Sequence, residues 1–376
     1  MCIRDSCKCC TKPSDPKNVT FERKNIAQMS GYSYGEQPER SSMVKLNTNE
    51  NPYPPSPRVA DALRDYNPAR LRTYPNALAK SFCTAAATLH GVTPDNVMAT
   101  NGGDEALRLA ITTFVDPGAT FGTLVPSYSL YPVLASVQDC TQLEIPLLPD
   151  FSWPQDLAGQ LNDANTRLTC IVNPHAPSGA LTDANTVMAL AKAINGVLLV
   201  DEAYINFVDP DTGHNLAPRV LDTPNLLILR SMSKGYSLAG LRFGYLLGHK
   251  DLMAPMREKT RDSYNVDGLA QVLAEAALTD ITYSKENWTT IARSRDKLRL
   301  ELQSLGFEVP FSHANFLLAQ SSPDHRMNAQ ALYDALHERD IFVRYFAALP
   351  DRLRITVGAE PENEAVLAAL RNLLKL

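Results

Sequence analysis

The chain has 376 residues, of which 44% are hydrophobic and 20% are charged, a composition typical of a globular protein with one large or two ordinary domains. Its 36 basic and 41 acidic residues give a net charge of −5, which argues against nucleic-acid binding. No run reaches the roughly 18 apolar residues of a membrane span and no signal peptide is evident, so we expect a cytoplasmic protein that binds no membrane.

The N-terminal end differs in composition from the rest of the chain. Four of the seven cysteines lie at positions 2, 7, 9 and 10. No second pair of cysteines or histidines follows at the spacing of a zinc site, so we expect no metal. Met1–Ser6 resembles a translated sequencing adaptor, and residues 1–20 are expected to form a disordered or artefactual tail. Cys83 and Cys170 lie in apolar segments and are expected to be reduced core residues.

An arm is predicted over residues 21–57, because Gly31–Gly35 and the proline-rich Pro52–Pro57 cannot form long helices. After the arm, short apolar runs alternate with helical patterns, which predicts a mostly parallel sheet wrapped by helices. A long helix then leads into a C-terminal α+β part. The predicted helices are Arg58–Asp65, Leu78–His90, Asn101–Val115 and Ala270–Leu305, and the predicted strands are Asn96–Thr100, Thr120–Val125, Leu168–Val172, Gly196–Asp201, Leu226–Leu229, Asn315–Leu318, Ile341–Arg344 and Leu353–Thr356.

Lys234 lies a few residues beyond the end of the predicted buried strand Leu226–Leu229, in the sequence Ser231-Met-Ser-Lys234, and Arg242 lies eight residues later. A lysine beside hydroxyl groups and an arginine suits a covalently held, phosphorylated aldehyde such as pyridoxal phosphate. The amine would form the imine, while Ser231, Ser233 and Arg242 would bind the phosphate. A solvated lysine on a loop would also explain this residue without any function.

Asp201 ends the strand before it, in the sequence Asp201-Glu-Ala-Tyr204. Ligands of open α/β sheets bind at the carboxyl ends of strands. An aspartate there could pair with a protonated pyridine nitrogen, and Tyr204 could reach the ring hydroxyl. The alternative role for Asp201 is that of a helix N-cap.

Two glycines precede a predicted helix in Asn101-Gly-Gly-Asp-Glu105. They free backbone amides for a phosphate at a helix N-terminus, where the helix dipole also favours negative charge. The same residues are compatible with an ordinary turn and cap.

These motifs resemble those of fold-type I pyridoxal-phosphate-dependent aminotransferases, and most closely the histidinol-phosphate aminotransferase family. The resemblance runs from about Asn25 to the C-terminus. It implies an α/β fold with a mostly parallel seven-stranded sheet in a large domain, residues 58–262, and a smaller α+β domain, residues 263–376, with which the arm associates. The segments that carry it are Leu46–Pro52, Tyr74-Pro75, Gly102–Glu105, Pro126–Tyr128, Asp201–Tyr204, Ser231–Lys234 with Arg242, Ile341–Arg344 and Leu353–Gly358.

The resemblance implies pyridoxal 5'-phosphate as cofactor and Lys234, Asp201 and Tyr204 as catalytic residues. Relatives often have asparagine where this chain has Ala176, so Tyr204 would contact the ring hydroxyl alone or with help from His175 or Asn173. The Ala176-Pro177 bond is predicted to be cis. The other cofactor contacts would come from Gly103, Asp104, Glu105, Tyr128, Asn173, Ser231, Ser233 and Arg242, and from Tyr74 of the second subunit of a homodimer.

The implied reaction is transamination of L-histidinol phosphate with 2-oxoglutarate, in histidine biosynthesis. Tyr32, Arg344 and Arg354 would bind the substrate phosphate, because a guanidinium offers a planar fork that matches phosphate or carboxylate, and Asn51 would add a substrate contact. An aromatic amino-acid aminotransferase and a threonine-phosphate-type decarboxylase remain alternatives on the same fold. A pyridoxal-phosphate-binding regulator is disfavoured, because no DNA-binding domain fits ahead of the arm.

Overall fold

The computed structural model describes residues 21–38 and 42–375, so the predicted tail at residues 1–20 lies outside the described residues. Strands and helices alternate along the chain. No described helix is long and apolar enough to cross a membrane. The strands are β1 Val44–Lys45, β2 Val97–Thr100, β3 Thr120–Val125, β4 Thr141–Pro146, β5 Leu168–Val172, β6 Val197–Asp201, β7 Leu226–Ser231, β8 Gly244–Gly248, β9 Phe316–Gln320, β10 Ile341–Phe342, β11 Arg344–Phe346 and β12 Leu349–Thr356. The helices are α1 Lys24–Gln28, α2 Pro57–Asp65, α3 Lys80–His90, α4 Gly102–Phe114, α5 Leu130–Val137, α6 Leu157–Asp163, α7 Ala184–Ala193, α8 Lys250–Pro255, α9 Gly268–Thr279, α10 Ile281–Ser304, α11 Ala329–His337 and α12 Glu360–Leu374.

The larger sheet has seven strands in the order β2-β8-β7-β6-β5-β3-β4. β3 to β7 run parallel, and β8 is antiparallel to both of its neighbours. Every residue of β5 and β8 is buried, because hydrophobic clusters cover both faces of the sheet. The predicted mostly parallel seven-stranded α/β sheet is therefore confirmed.

The strand register brings the ends of several strands to one edge of this sheet. Val172 pairs with Asp201 and Asp201 pairs with Leu229, so β5, β6 and β7 end side by side. Gly244, at the start of the antiparallel β8, pairs with both Thr100 and Ser231. The segments that follow β2, β5, β6 and β7 thus begin at the same edge.

A smaller α+β unit contains the antiparallel sheet β11-β12-β9. Its core is packed by residues of α10, α11 and α12, including Leu298, Leu332 and Leu367. The arm joins this unit, since β1 pairs with β10 and Leu46 lies in the same core.

The predicted single helix over Ala270–Leu305 is wrong. Two helices, α9 and α10, meet at Asp280, which has φ −95° and ψ 58°. The Asp280 carboxylate accepts a hydrogen bond from Ser56 and lies 3.9 Å from the guanidinium of Arg58, so contacts from the distant α2 region hold this break. Because α9 packs in the core of the larger unit, we propose a domain division between α9 and α10 instead of at residue 263.

Candidate active site

A cavity of about 570 Å³ lies at the strand-end edge of the larger sheet, and the smaller unit and the arm complete its wall. Predicted site residues from distant parts of the chain line this cavity together. Those that line it are Tyr32, Gly103, Asp104, Tyr128, Asp201, Tyr204, Ser231, Ser233, Lys234, Arg242, Arg344 and Arg354.

Lys234 lies just beyond the end of β7, and two bonds to the arm fix it. Its Nζ donates to the carbonyl oxygen of Thr48 at 2.6 Å, and Asn51 Nδ2 donates to the Lys234 carbonyl at 3.1 Å. Burial, with a further contribution from the Arg354 charge, lowers the pKa of Lys234 to about 8. A substantial fraction of the amine is therefore neutral near neutral pH, as a nucleophile requires.

Asp201 is the last residue of β6 and is 5% exposed. Two donors hold its carboxylate: Tyr131 OH donates to Oδ2 at 3.0 Å and the backbone N–H of Ala203 donates to Oδ1 at 3.1 Å. Burial raises the pKa of Asp201 to about 6, and these hydrogen bonds oppose that rise. The cavity therefore has a fixed carboxylate in its wall, suited to pair with a cationic ring nitrogen.

Tyr204 presents its hydroxyl to the cavity with one hydrogen bond already made, since Asn49 Nδ2 donates to it at 3.0 Å. Its ring packs edge-on against Phe316 at 5.0 Å between centroids. The Ala176-Pro177 bond beside it is cis, as predicted.

The expectation that Asn173 or His175 assists Tyr204 is corrected, because both side chains bond to other partners and Asn173 does not line the cavity. The Asn173 amide donates to the Thr182 carbonyl and accepts from the Thr182 N–H, both at 2.9 Å. The two ring nitrogens of His175 lie 2.7 Å from Ser178 Oγ and 2.8 Å from the Pro126 carbonyl. Both side chains are committed to holding the loop that follows β5.

The N-terminus of α4 and Arg242 form a proposed anion site in the cavity. Gly102 begins the helix at φ +76°, a left-handed conformation that favours glycine, and a Cβ atom there would lie 2.8 Å from Arg242 Nη2 and displace that guanidinium. Arg242 Nη2 lies 3.2 Å from Asp104 Oδ2, and the hydroxyls of Ser231 and Ser233 line the same cavity. Helix amides, a guanidinium and two hydroxyls are the donors that a phosphate monoester needs.

Three other predicted site residues do not line the cavity. Glu105 accepts from Asn265 Nδ2 at 2.9 Å inside the protein, because adjacent helix residues point in different directions and Asp104 already faces the cavity. Asn51 is used in its bond to the Lys234 carbonyl. Tyr74 is 80% exposed and stacks on Tyr264 at 4.4 Å between centroids.

Arg344 and Arg354 form a second proposed anion site, on the smaller unit. They are paired residues on β11 and β12. The Arg354 guanidinium donates to the Asn47 carbonyl at 2.9 Å and lies over the rings of Phe316 and Phe346, 5.2 and 5.3 Å from their centroids. Burial lowers the pKa of Arg354, but an arginine side chain still remains charged at neutral pH.

The sequence did not single out Tyr131, Asn49 or Thr48, although all three contact predicted catalytic residues. Tyr131 follows Tyr128 by three residues, one helical turn, which is the signal that could have placed it near the site. Asn49 and Thr48 lie in Leu46–Pro52, a segment that carries the family resemblance, but their individual contacts depend on where the arm lies.

Comparison with known proteins identifies the family. Residues 41–373 match the family model described as aminotransferase class I and II. The chain belongs to this family. Histidinol-phosphate aminotransferase 1 of Trichormus variabilis is 39% identical over 360 residues, which cover 95% of this chain and 100% of the relative. The histidinol-phosphate aminotransferase of Syntrophotalea carbinolica is 40% identical over 93% of this chain and 99% of its own.

A solved structure also covers nearly the whole aminotransferase. It is the histidinol-phosphate aminotransferase of Sinorhizobium meliloti in complex with pyridoxal-5'-phosphate, with a TM-score of 0.87 and 25% identity over 96% of this chain and 99% of that one. Among residues 21–38 and 42–375, no group of three or more His, Cys, Asp or Glu side chains is arranged to hold a metal ion.

Proposed function

We propose that this aminotransferase uses pyridoxal 5'-phosphate to transfer the amino group of L-histidinol phosphate to 2-oxoglutarate, giving imidazole-acetol phosphate and glutamate in histidine biosynthesis. The observation that carries the proposal is the presence of two arginine-based anion sites in one cavity with Lys234. Arg242 and Arg354 both lower the pKa of the Lys234 amine, so both sites lie close to it. One site suits a cofactor phosphate, and the second suits a substrate phosphate or carboxylate.

The residues of the larger unit fit this cofactor. Lys234 would hold it covalently, and Ser231, Ser233, Arg242 and the α4 N-terminus at Gly103 would hold its phosphate. Pyridoxal phosphate supplies an electron sink for bond breaking at the carbon that bears the amino group. Asp201 would pair with the pyridine nitrogen, Tyr128 would lie against the ring and Tyr204 would donate to the ring hydroxyl.

Lys234 has a second role in this proposal. Its Nζ would also act as the acid and base that moves a proton at the substrate carbon, and a pKa of about 8 suits it to accept and return a proton near neutral pH. The Thr48 carbonyl, 2.6 Å from Nζ, gives the released amine a defined resting position.

Arg344, Arg354 and Tyr32 would recognise the substrate. Histidinol phosphate has no carboxylate, so the arginine pair must accept its phosphate in one half-reaction and a carboxylate of glutamate in the other. A planar guanidinium can do both, because the two anions present similarly spaced oxygens. In support of the role of Tyr32, its side chain lines the cavity and its ring packs edge-on against Tyr128, at 5.9 Å between centroids.

We further propose a cytoplasmic homodimer in which Tyr74 contacts the cofactor phosphate of the partner subunit. In support, Leu71, Tyr74 and Tyr264 are 66%, 80% and 47% exposed, which is an apolar surface suited to an interface. Cys83, Cys140 and Cys170 are free thiols, as expected for a reducing compartment.

The test is a substrate panel on purified protein loaded with pyridoxal phosphate, in which glutamate formation from 2-oxoglutarate is measured. The highest kcat/KM is expected with L-histidinol phosphate. A preference for phenylalanine or tyrosine would instead identify an aromatic aminotransferase, and CO₂ release from phosphothreonine would identify a decarboxylase. Lys234→Ala should show no turnover, and substantial residual transamination would contradict the assignment.

Arg344→Met should raise the KM for histidinol phosphate about 10- to 100-fold, the value of one or two hydrogen bonds to a charged group. Arg352→Met is the control, because Arg352 lies on β12, the strand that pairs with β11, but does not line the cavity. If the two substitutions raise the KM for histidinol phosphate equally, Arg344 does not bind the substrate.

A further inference from the structure

Tyr131 contacts the proposed pyridine partner from behind. It lies on α5, is fully buried, and donates from its hydroxyl to Asp201 Oδ2 at 3.0 Å. Its ring packs edge-on against Tyr128, 5.5 Å away between centroids, and Tyr128 lines the cavity while Tyr131 does not. Tyr131 therefore has no access to a ligand and acts only through Asp201.

The charges around Asp201 show what this hydrogen bond opposes. The titratable groups that face it are Tyr131 on α5, Cys170 on β5, Asp104 on α4, and Glu202 and Tyr204 after β6. Burial disfavours the ionised form of Asp201, and the negative charges of Asp104 and Glu202 disfavour it further. Two hydrogen bonds favour the ionised form, and the Tyr131 hydroxyl is the one from a side chain.

We propose that Tyr131 is a positioning residue for cofactor binding: its hydroxyl holds the Asp201 carboxylate ionised and directed at the cavity, ready to pair with the pyridinium of pyridoxal phosphate. The inference rests on the role proposed above for Asp201. Without the hydroxyl, burial and the neighbouring carboxylates shift Asp201 toward its neutral form. Binding the cofactor then requires the loss of a proton from Asp201, and this requirement grows as the pH falls.

The experiment measures the dissociation constant of pyridoxal phosphate from the cofactor-free protein by equilibrium dialysis between pH 8.5 and pH 6, so it does not depend on turnover. Tyr131→Phe should bind nearly as tightly as the wild type at pH 8.5 and about fivefold or more weakly at pH 6, since a hydrogen bond to a charged group changes its pKa by about one unit or more and Asp201 starts from a pKa of about 6. The titrations of Lys234 and of the cofactor itself are common to both proteins and cancel in the ratio of dissociation constants.

Tyr245→Phe is the matched control. Tyr245 is also almost fully buried, and its hydroxyl makes one side-chain contact, 2.9 Å from His90 Nε2, without lining the cavity. A purely structural effect of losing a buried hydroxyl gives a ratio of dissociation constants that does not change with pH in either variant. If Tyr131→Phe behaves in that way, the proposal is overturned.

Asp201→Asn separates this inference from the role on which it depends. Asp201→Asn should weaken binding, and adding Tyr131→Phe to it should remove the pH-dependent difference between tyrosine and phenylalanine. If Asp201→Asn leaves the affinity unchanged, the proposed role of Asp201 fails. If it weakens binding while Tyr131→Phe matches Tyr245→Phe, only the inference about Tyr131 fails.

Discussion

The lowered pKa of Lys234 makes cofactor capture depend on pH in a way that the structure specifies. With a pKa of about 8, compared with 10.5 for an ordinary lysine, about 10% of the amine is neutral at pH 7, instead of about 0.03%. The difference is roughly 300-fold in the reactive form. The rate at which cofactor-free protein bonds covalently to pyridoxal phosphate should therefore rise with pH to a plateau, with a midpoint near 8.

Arg354 is the charge that contributes most to this shift after burial itself. Arg354→Met removes a cation near the amine, which stabilises the ammonium form and raises the pKa of Lys234. The midpoint of the binding rate with pH should therefore move above 8. The assay is stopped-flow absorbance of the cofactor on mixing, without substrate, so that the proposed role of Arg354 in substrate binding does not enter. Arg352→Met, on the same strand but away from the cavity, should leave the midpoint unchanged.

Two results would refute this reasoning. A wild-type midpoint near 10 would mean that the amine is solvated and not held among cations. An Arg354→Met midpoint at or below that of the wild type would mean that burial alone sets the pKa and that the second anion site does not act on Lys234.

Three further substitutions test other parts of the structure. Gly102→Ala should weaken cofactor binding, because its Cβ would lie 2.8 Å from Arg242 Nη2. Gly213→Ala is the control, because Gly213 also has a positive φ, +66°, but nothing lies within 4 Å of its Cβ position. This control should only lower the free energy of unfolding, by roughly 1 kcal/mol of backbone strain, as measured by chemical denaturation. Glu202→Leu should lower the free energy of unfolding by about 3–5 kcal/mol, because it leaves Arg230, 2.7 Å from the carboxylate, buried without its partner. Loss of the half-exposed pair Arg371–Glu301 should have a much smaller effect in the same denaturation experiment. Phe316→Ala should lower the free energy of unfolding by about 3–5 kcal/mol, because Phe316 is fully buried. It should also raise the substrate KM, because the Phe316 ring contacts both Tyr204 and Arg354. Phe121→Ala, at an equally buried position, should lower only the free energy of unfolding.

Local sequence patterns were sufficient for most of the larger sheet. The predicted strands at Thr120–Val125 and Leu168–Val172 have the bounds that the structure gives to β3 and β5. Apolar runs of four to six residues predict such strands well, because a strand buried on both faces needs apolar side chains at every position. The same patterns failed at Asp280, where an apolar periodicity continues through a break that Ser56 helps to hold.

The candidate site divides in a similar way. Lys234 and Asp201 were predicted because each follows or ends a strand, and ligands of open α/β sheets bind at the carboxyl ends of strands. The start of α4 was predicted because two glycines precede a helix N-terminus. Asn173 and Glu105 were predicted to contact the cofactor, yet their side chains bond to Thr182 and Asn265 instead. The direction of a side chain depends on which partners packing brings within hydrogen-bonding distance.

The sequence by itself therefore determined the class of sheet and the family, and it predicted Lys234 as the covalent lysine with Ser231, Ser233 and Arg242 as its phosphate-binding neighbours. These features are encoded in short segments whose residues act together. Only the tertiary structure decided that Thr48 accepts the Lys234 amine, that Asn49 donates to Tyr204 and that Tyr131 supports Asp201. Partners separated by 70 to 186 residues leave no pattern along the chain, because their contact arises from the packing of whole elements and not from the local preferences of either segment.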